Sequence, residues 1–273
     1  MPEPDPYAPV IIPGLCVVIQ TQDDLRVARA QTLAQDLSAP VFYEMPAPEK
    51  HHFALIQTDQ RAELRVLGGD RSLVGGRAIC CDLTALDTQS GPGRSLSQPL
   101  LKAVGIKRRE PYRPRVLDVT AGLGEDAWVL ASVGCEVLAY ERNPVTHALL
   151  ADGLMRGGTV EPQIAERMRV MPGDGIKALH ALAETDGSDR PDVVYLDPMF
   201  PLGRKTAERK AMRVLRMLSG DDPDAHELLA AAVRVATRRV VVKRPLRSPA
   251  LQGPEPTVVH KGKSLRFDVY VVH

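Results

Sequence analysis

The sequence predicts an α/β fold: a doubly wound, mostly parallel sheet preceded by a small α+β unit. Three observations carry this. From Arg115 onward, short runs of strand-formers alternate with helical stretches, the pattern of βαβ units. The first of these strands runs into a glycine turn, Gly122-Leu-Gly124-Glu-Asp-Ala127, that opens a helix. Residues 1–90, by contrast, hold short strand-like runs around a single helix.

In the N-terminal part the strand-like runs are Leu15–Gln20, Pro40–Met45, His52–Gln57 and Glu63–Gly68, with a helix over Asp23–Leu37 between the first two. The polar segment Asp87–Gln98, with its Gly, Pro and Ser, is a linker or loop, and a short helix follows over Gln98–Val104. The chain therefore divides into a unit over 1–90, a linker with a short helix over 91–114, and a larger α/β unit over 115–273. In that unit the expected order is strand Val116–Thr120, helix Asp126–Val133, strand Cys135–Glu141, helix Pro144–Arg156, strand Met168–Asp174 and a helix from Gly175. Strand Asp192–Asp197, a basic helix over Arg204–Leu218, a helix over Ala225–Ala236, strand Arg239–Pro245 and a last strand, FDVYVVH, complete it. Trp128 and Cys135 read as core.

Ligands of such sheets bind outside the carboxyl ends of the strands, so the strand ends carry the chemistry. Asp118 lies near the end of the first, and Gly122 and Gly124 let the backbone approach a ligand or simply make a tight turn. The second ends at Glu141, where an acid can accept hydrogen bonds from both hydroxyls of a ribose. The third ends at Asp174-Gly175, which suits either an adenine amino group lying against glycine or an ordinary helix N-cap. The fourth ends in DVVYLDPMFP. A hydride-transferring enzyme has no use for Asp-Pro-x-aromatic, but methyl transfer to an exocyclic amine of a base does. The amine lone pair is delocalised into the ring, so the nitrogen is a poor nucleophile. The Asp197 carboxylate and a carbonyl held by the Pro198 turn can bind its N–H groups and favour a pyramidal nitrogen. Phe200 can stack on the base. Such catalysis is positioning and electrostatics.

Composition narrows the classes. Apolar residues make up 44% of 273 residues, a globular value, and the longest apolar runs are far shorter than a membrane span. The acidic, proline-rich start MPEPDPYAPV is unlike a signal peptide. Four cysteines without CxxC spacing and scattered histidines give neither a disulfide framework nor a metal cluster, so a reducing cytoplasmic setting is expected. The net charge of +1 hides an asymmetry: residues 198–273 hold 15 Lys+Arg against 7 Asp+Glu. That balance suits an anionic partner such as nucleic acid, or solvated helix faces.

The stretches VLDVTAGLGEDAWVLASVGCEVLAYERNP, DVVYLDPMFP, MRVL, ATRRVVVKRP and KSLRFDVY occur together in one order. Over about Ala103–Tyr270 the chain resembles the ribosomal RNA small subunit methyltransferase J family. The resemblance implies a class I, Rossmann-like methyltransferase fold with an antiparallel final strand. It implies S-adenosylmethionine as cofactor, S-adenosylhomocysteine as product and no metal. It also implies methylation of N2 of a guanosine in small-subunit rRNA, with rRNA or the small ribosomal subunit as partner and neither a membrane nor an obligate protein partner. Cofactor contacts are implied at Glu125, Asp126, Glu141, Arg142, Asp174, Gly175 and Asp197, beside Asp118, Gly122 and Gly124. Lys205, Arg209, Arg213 and Arg216 repeat at spacings of four, four and three, on one face of the basic helix. Ala207, Ala211, Leu215 and Leu218 form the opposite, buried face. With Lys243, Arg244 and Arg247 at the next strand end, the basic face would meet phosphates flanking the target, or be plain solvated surface. Three alternatives stay open: the same chemistry on another nucleic acid or a protein amide, an NAD-dependent oxidoreductase, and a non-catalytic RNA-binding assembly factor.

Overall fold

The computed structural model describes residues 12–48, 50–90, 95, 98–107, 109–199, 210–220, 224–249 and 251–272. The N-terminal elements are β1 (Leu15–Gln20), α1 (Asp24–Asp36), β2 (Val41–Phe42), β3 (Phe53–Thr58) and β4 (Ala62–Val66). They form a four-stranded sheet of order β2-β1-β3-β4, parallel except for the β3–β4 hairpin. Helix α1 starts where the Asp23 carboxylate accepts the Arg26 N–H, an N-cap that satisfies one of the orphan donors of the first turn.

After α2 (Pro99–Ala103) come β5 (Arg115–Asp118), α3 (Glu125–Ser132), β6 (Glu136–Glu141), α4 (Pro144–Val160), α5 (Pro162–Ala165), β7 (Met168–Pro172) and α6 (Gly175–Ala183). Then follow β8 (Val193–Leu196), α7 (Lys210–Ser219), α8 (Ala225–Val235), β9 (Arg239–Pro245), β10 (Val258–Lys261) and β11 (Leu265–Val271). The seven-stranded sheet runs β10-β11-β9-β8-β5-β6-β7. The strands β5 to β9 are mutually parallel and β11 is antiparallel to β9. The chain winds outward from β5 through β6 to β7, then returns to β8 on the other side. Its switch point therefore lies at the carboxyl end of β5. Every residue of β8 is buried, which explains the unbroken run of strand-formers there.

The short helix α5, the strand β10 and the length of α4 differ from the sequence expectation. Strand β10 is absent from it, because VVHK is short and exposed on three of its four residues. Helix α4 does not stop at Arg156 but runs to Val160, through Gly157 and Gly158. A Cβ on Gly157 would stand 3.0 Å from the Trp128 ring, so this glycine admits the fully buried indole instead of ending the helix.

The two sheets share one apolar cluster. It contains Leu55 and Leu64 of the first sheet together with Trp128, Leu149 and Leu150 of the α/β layers. An ion cluster joins them as well: buried Asp152 of α4 accepts from Arg26 of α1 at 3.0 Å and from Arg156 at 2.8 Å. No helix among the described residues is long and apolar enough to cross a membrane.

Removing one member of such a cluster leaves the others uncompensated. Asp152→Ala is therefore expected to cost about 2 kcal/mol of unfolding free energy, measured by urea denaturation. A loss below about 0.5 kcal/mol would mean that this cluster does not secure the N-terminal unit.

Candidate active site

The crevice begins at β5. Asp118, 2% exposed, accepts the Thr120 N–H at 3.0 Å. Burial pushes its carboxyl up to about 8; the Thr120 bond opposes this, and Asp126, Asp197 and Glu141 add to it. Gly122 and Gly124 both adopt positive φ, +57° and +74°. They do different things. Space around a Cβ on Gly122 is open to 4 Å, so this backbone can receive a ligand. A Cβ on Gly124 would stand 2.5 Å from Leu150, so that glycine serves helix packing against α4.

Glu141, at the end of β6, is 8% exposed. Its carboxylate accepts the Gly122 N–H at 2.8 Å and the Asn143 N–H at 2.7 Å, which fastens the glycine turn to the second strand. Asn143 caps α4 by accepting from Val145 and Thr146, and its amide donates to the Leu218 carbonyl at 3.1 Å. The Arg142 guanidinium lies on the outer side, 3.4 Å from Asp224. Asp174 caps α6, accepting from Ile176 and Lys177. Gly175 is demanded by packing, since its Cβ would stand 2.5 Å from the Val119 carbonyl. At the third strand end the cap is thus realised, and the glycine has a steric reason independent of any ligand.

At the end of β8 the Asp197 N–H donates to Thr120 Oγ1 at 2.6 Å, tying the fourth strand end to the first. Pro198 is buried behind it. Lys243, from the end of β9, places Nζ 2.9 Å from Asp197 and 2.6 Å from Asp126. The hydroxyl of fully buried Tyr195 donates to the same Asp126 oxygen at 2.6 Å. Asp126 is thus committed to Lys243 and Tyr195, while Glu125 is exposed at the start of α3. Burial and the surrounding acids push the Tyr195 phenol well above its ordinary value, so it stays a donor.

Two expected rim residues need correction. Lys243 points into the crevice, because alternation along β9 turns it toward α3 and the Asp197 end. Arg244 is 2% exposed and faces Asp268 of β11, where it has no path to a phosphate. Alternation along β9 puts the two on opposite faces of the sheet, Lys243 on the side of α3 and Arg244 on the other, and a basic composition does not reveal which.

A family model described as a putative SAM-dependent methyltransferase matches residues 41–272. The ribosomal RNA small subunit methyltransferase J of Aeromonas salmonicida (strain A449) is 43% identical over 258 residues, 93% of this chain and 97% of that protein. The protein of the same name from Pseudomonas fluorescens (strain Pf0-1) is 50% identical over 253 residues, 89% of this chain and 90% of its own length. The chain belongs to the ribosomal RNA small subunit methyltransferase J family. It is an S-adenosylmethionine-dependent methyltransferase, which sets aside the oxidoreductase alternative. The crystal structure of a SAM-dependent methyltransferase, NGO1261 from Neisseria gonorrhoeae, has the same fold. Its TM-score is 0.67 at 30% identity, over 93% of this chain and 95% of that one.

In this methyltransferase Phe200, Lys205, Arg209 and Ala207 lie outside the described residues. The described part of the basic helix, α7, buries Val214 and Leu215 and packs Ala211 and Leu218 against the core, the face expected from the sequence. Arg213 does not stand alone on the opposite face. It pairs with Asp70 at 3.1 Å and donates to Ser72, so α7 is clipped to the turn after β4. Arg216 is half-buried. Sequence reasoning did not single out Thr120, Asn143 or Tyr195. Thr120 and Asn143 could have been flagged as hydroxyl and amide groups beside strand ends; Tyr195 reads from sequence only as a strand-former.

Two measurements follow. Glu141→Ala is expected to weaken S-adenosylhomocysteine binding by roughly 1–3 kcal/mol in calorimetry; an unchanged Kd would place Glu141 outside the cofactor site. The raised Asp118 carboxyl costs stability as pH rises. The unfolded chain ionises this group near 4, whereas the folded chain holds the proton up to about 8. The neutral isostere Asp118→Asn should therefore raise the unfolding free energy from urea denaturation at pH 8, by at least about 1 kcal/mol, and change it little near pH 4. Equal gains at both pH values would show that Asp118 is not held neutral.

Proposed function

We propose that this methyltransferase modifies the exocyclic N2 of a guanosine in small-subunit rRNA, on the rRNA itself or on the small ribosomal subunit. The observation that carries this is Asp197. Its carboxylate is half-buried, held at the backbone by Thr120 and at the side chain by Lys243, at the mouth of the crevice walled by Gly122 and Glu141. An acceptor fixed there receives the N–H groups of an aromatic amine and favours a pyramidal nitrogen, whose lone pair is less delocalised into the ring and can be aimed at the methyl group. The curated relatives are named as small-subunit rRNA methyltransferases, which supports RNA as the acceptor.

The residues fit the cofactor. Glu141 presents a carboxylate to a ribose diol at the second strand end, Asp174 an acceptor to an adenine amino group at the third, and Gly122 an open side for close approach. When bound, S-adenosylmethionine supplies an electrophilic methyl group on a sulfonium. The chain's own part is to bind, orient and accept: the Asp197 carboxylate and the Pro198 carbonyl hold the amine, and Phe200 supplies the stacking surface. Once methylated, the nitrogen carries a positive charge and gives up one of its protons to solvent. Arg213 and Arg216, with Lys205 and Arg209 before them in sequence, supply charge for phosphates flanking the target.

Incubation with methyl-labelled S-adenosylmethionine and three acceptors, small subunits, naked small-subunit rRNA and duplex DNA, tests the proposal. Label is expected in N2-methylguanosine from the subunit or its rRNA. Label in DNA alone, or in a different nucleoside, would sink it. Asp197→Ala should lower turnover at least about a hundredfold while S-adenosylhomocysteine affinity stays within a few-fold. Turnover close to wild type would remove Asp197 from the chemistry. Arg213→Glu combined with Arg216→Glu should weaken RNA binding and flatten its dependence on salt; an unaltered slope would return both residues to plain surface.

A further inference from the structure

Lys243 is the least expected member of the crevice. Its side chain is 19% exposed, and its ammonium bridges Asp126 and Asp197 at 2.6 and 2.9 Å. We propose that Lys243 is a positioning residue for methyl transfer, holding the Asp197 carboxylate ionised and turned toward the incoming amine. This rests on the proposal that Asp197 receives the amine N–H groups.

The physical need is plain. A carboxylate accepts an N–H at either oxygen, whereas a carboxylic acid has lost part of that capacity to its own proton. The surroundings of Asp197 work against ionisation. The acids Glu141, at the end of β6, and Asp126, at the start of α3, stand around it, while Asp118 at the end of β5 and the Tyr195 phenol of β8 face the same cluster as neutral groups. Lys243 provides the counter-charge at hydrogen-bond distance. Burial disfavours its ammonium, but Asp197 and Asp126 outweigh burial and hold it well above its ordinary value. It therefore stays charged through the neutral range. Without it, the Asp197 carboxylate would face its acidic neighbours with no cation at hydrogen-bond distance, and like charges gathered in one site oppose one another. The other end of the bridge is fixed too, since Tyr195 donates to the Asp126 oxygen that Lys243 holds. Asp197 is thus clamped at its N–H by Thr120 and at its side chain by a cation that is itself anchored.

A purely structural ion bridge would affect stability and leave the pH dependence of turnover alone. K243M, K243R and D197N in the full chain are assayed for methyl transfer to rRNA between about pH 5.5 and 9.5, with S-adenosylhomocysteine binding measured alongside. K243M is expected to bind S-adenosylhomocysteine within about threefold of wild type and lose at least about tenfold in kcat at pH 7. Its acidic limb of kcat/KM should move up by about one pH unit or more, with part of the rate recovered in alkali. K243R, which keeps the cation, should return the limb toward wild type. Should K243M not fold, K243Q removes the charge while keeping a polar head, and the same limb shift is expected. An unmoved limb in the neutral variants, with or without a uniform loss of rate, would overturn the proposal. D197N separates the two levels. If it turns over like wild type, Asp197 is not the acceptor and both proposals are overturned. If it is inactive while K243M or K243Q shows no limb shift, only the role of Lys243 is overturned.

Discussion

The parallel pairing of β5 with β6 on one side and β8 on the other organises the whole site. In register, Asp118 lies opposite Ala139 of β6 and Tyr195 of β8. Because the three strands point the same way, their carboxyl ends emerge along one edge. In a sheet of this order, ligands bind outside the carboxyl ends of the strands at the switch point beside β5. Asp118, Glu141 and Asp197 are distant in sequence, and this register alone brings them together. The same edge receives β9, and with it Lys243.

Close backbone approach keeps that edge compact. Gly124 lets the start of α3 settle on Leu150, and Gly175 lets α6 start against the carbonyl of Val119. Only Gly122, of the three, leaves open space beside its backbone. Glycines that look alike in the sequence therefore divide into those that pack the walls and one that lines the cavity. The Glu141 carboxylate couples the two uses, since it holds the Gly122 turn in place from the neighbouring strand.

Concentrating acids at one sheet edge costs stability, and the structure offsets that in two ways. Asp118 escapes charge by burial, remaining protonated up to about 8. Asp126 and Asp197 instead share an ammonium. Helix α7 is held from two directions around this edge: Asn143 grips the Leu218 carbonyl from the start of α4, and Arg213 reaches Asp70 in the turn after β4. The N-terminal sheet is thereby joined to the helix that follows the Asp197–Phe200 segment, through polar contacts added to the shared core.

The sequence by itself determined the order and type of most elements, the doubly wound sheet, and the strand ends where chemistry gathers. It could do so because hydrophobic periodicity, Gly-rich turns and the Asp-Pro-x-aromatic segment are local signals, each set by a few consecutive residues. Glu141 and Asp197 were legible as candidate site residues for that reason. Only the tertiary structure decided which way each basic side chain points. Lys243 and Arg244 are neighbours of like charge, yet strand alternation sends one to Asp197 and the other to Asp268. A helix expected to end at Arg156 continues through Gly157 because the Trp128 ring packs where a Cβ would stand, a contact no local signal encodes. The hydrogen bonds of Thr120, Asn143 and Tyr195 likewise span long stretches of chain, from 69 to 77 residues. No pattern of neighbouring residues encodes a bond between groups so far apart; packing the strands in register creates it.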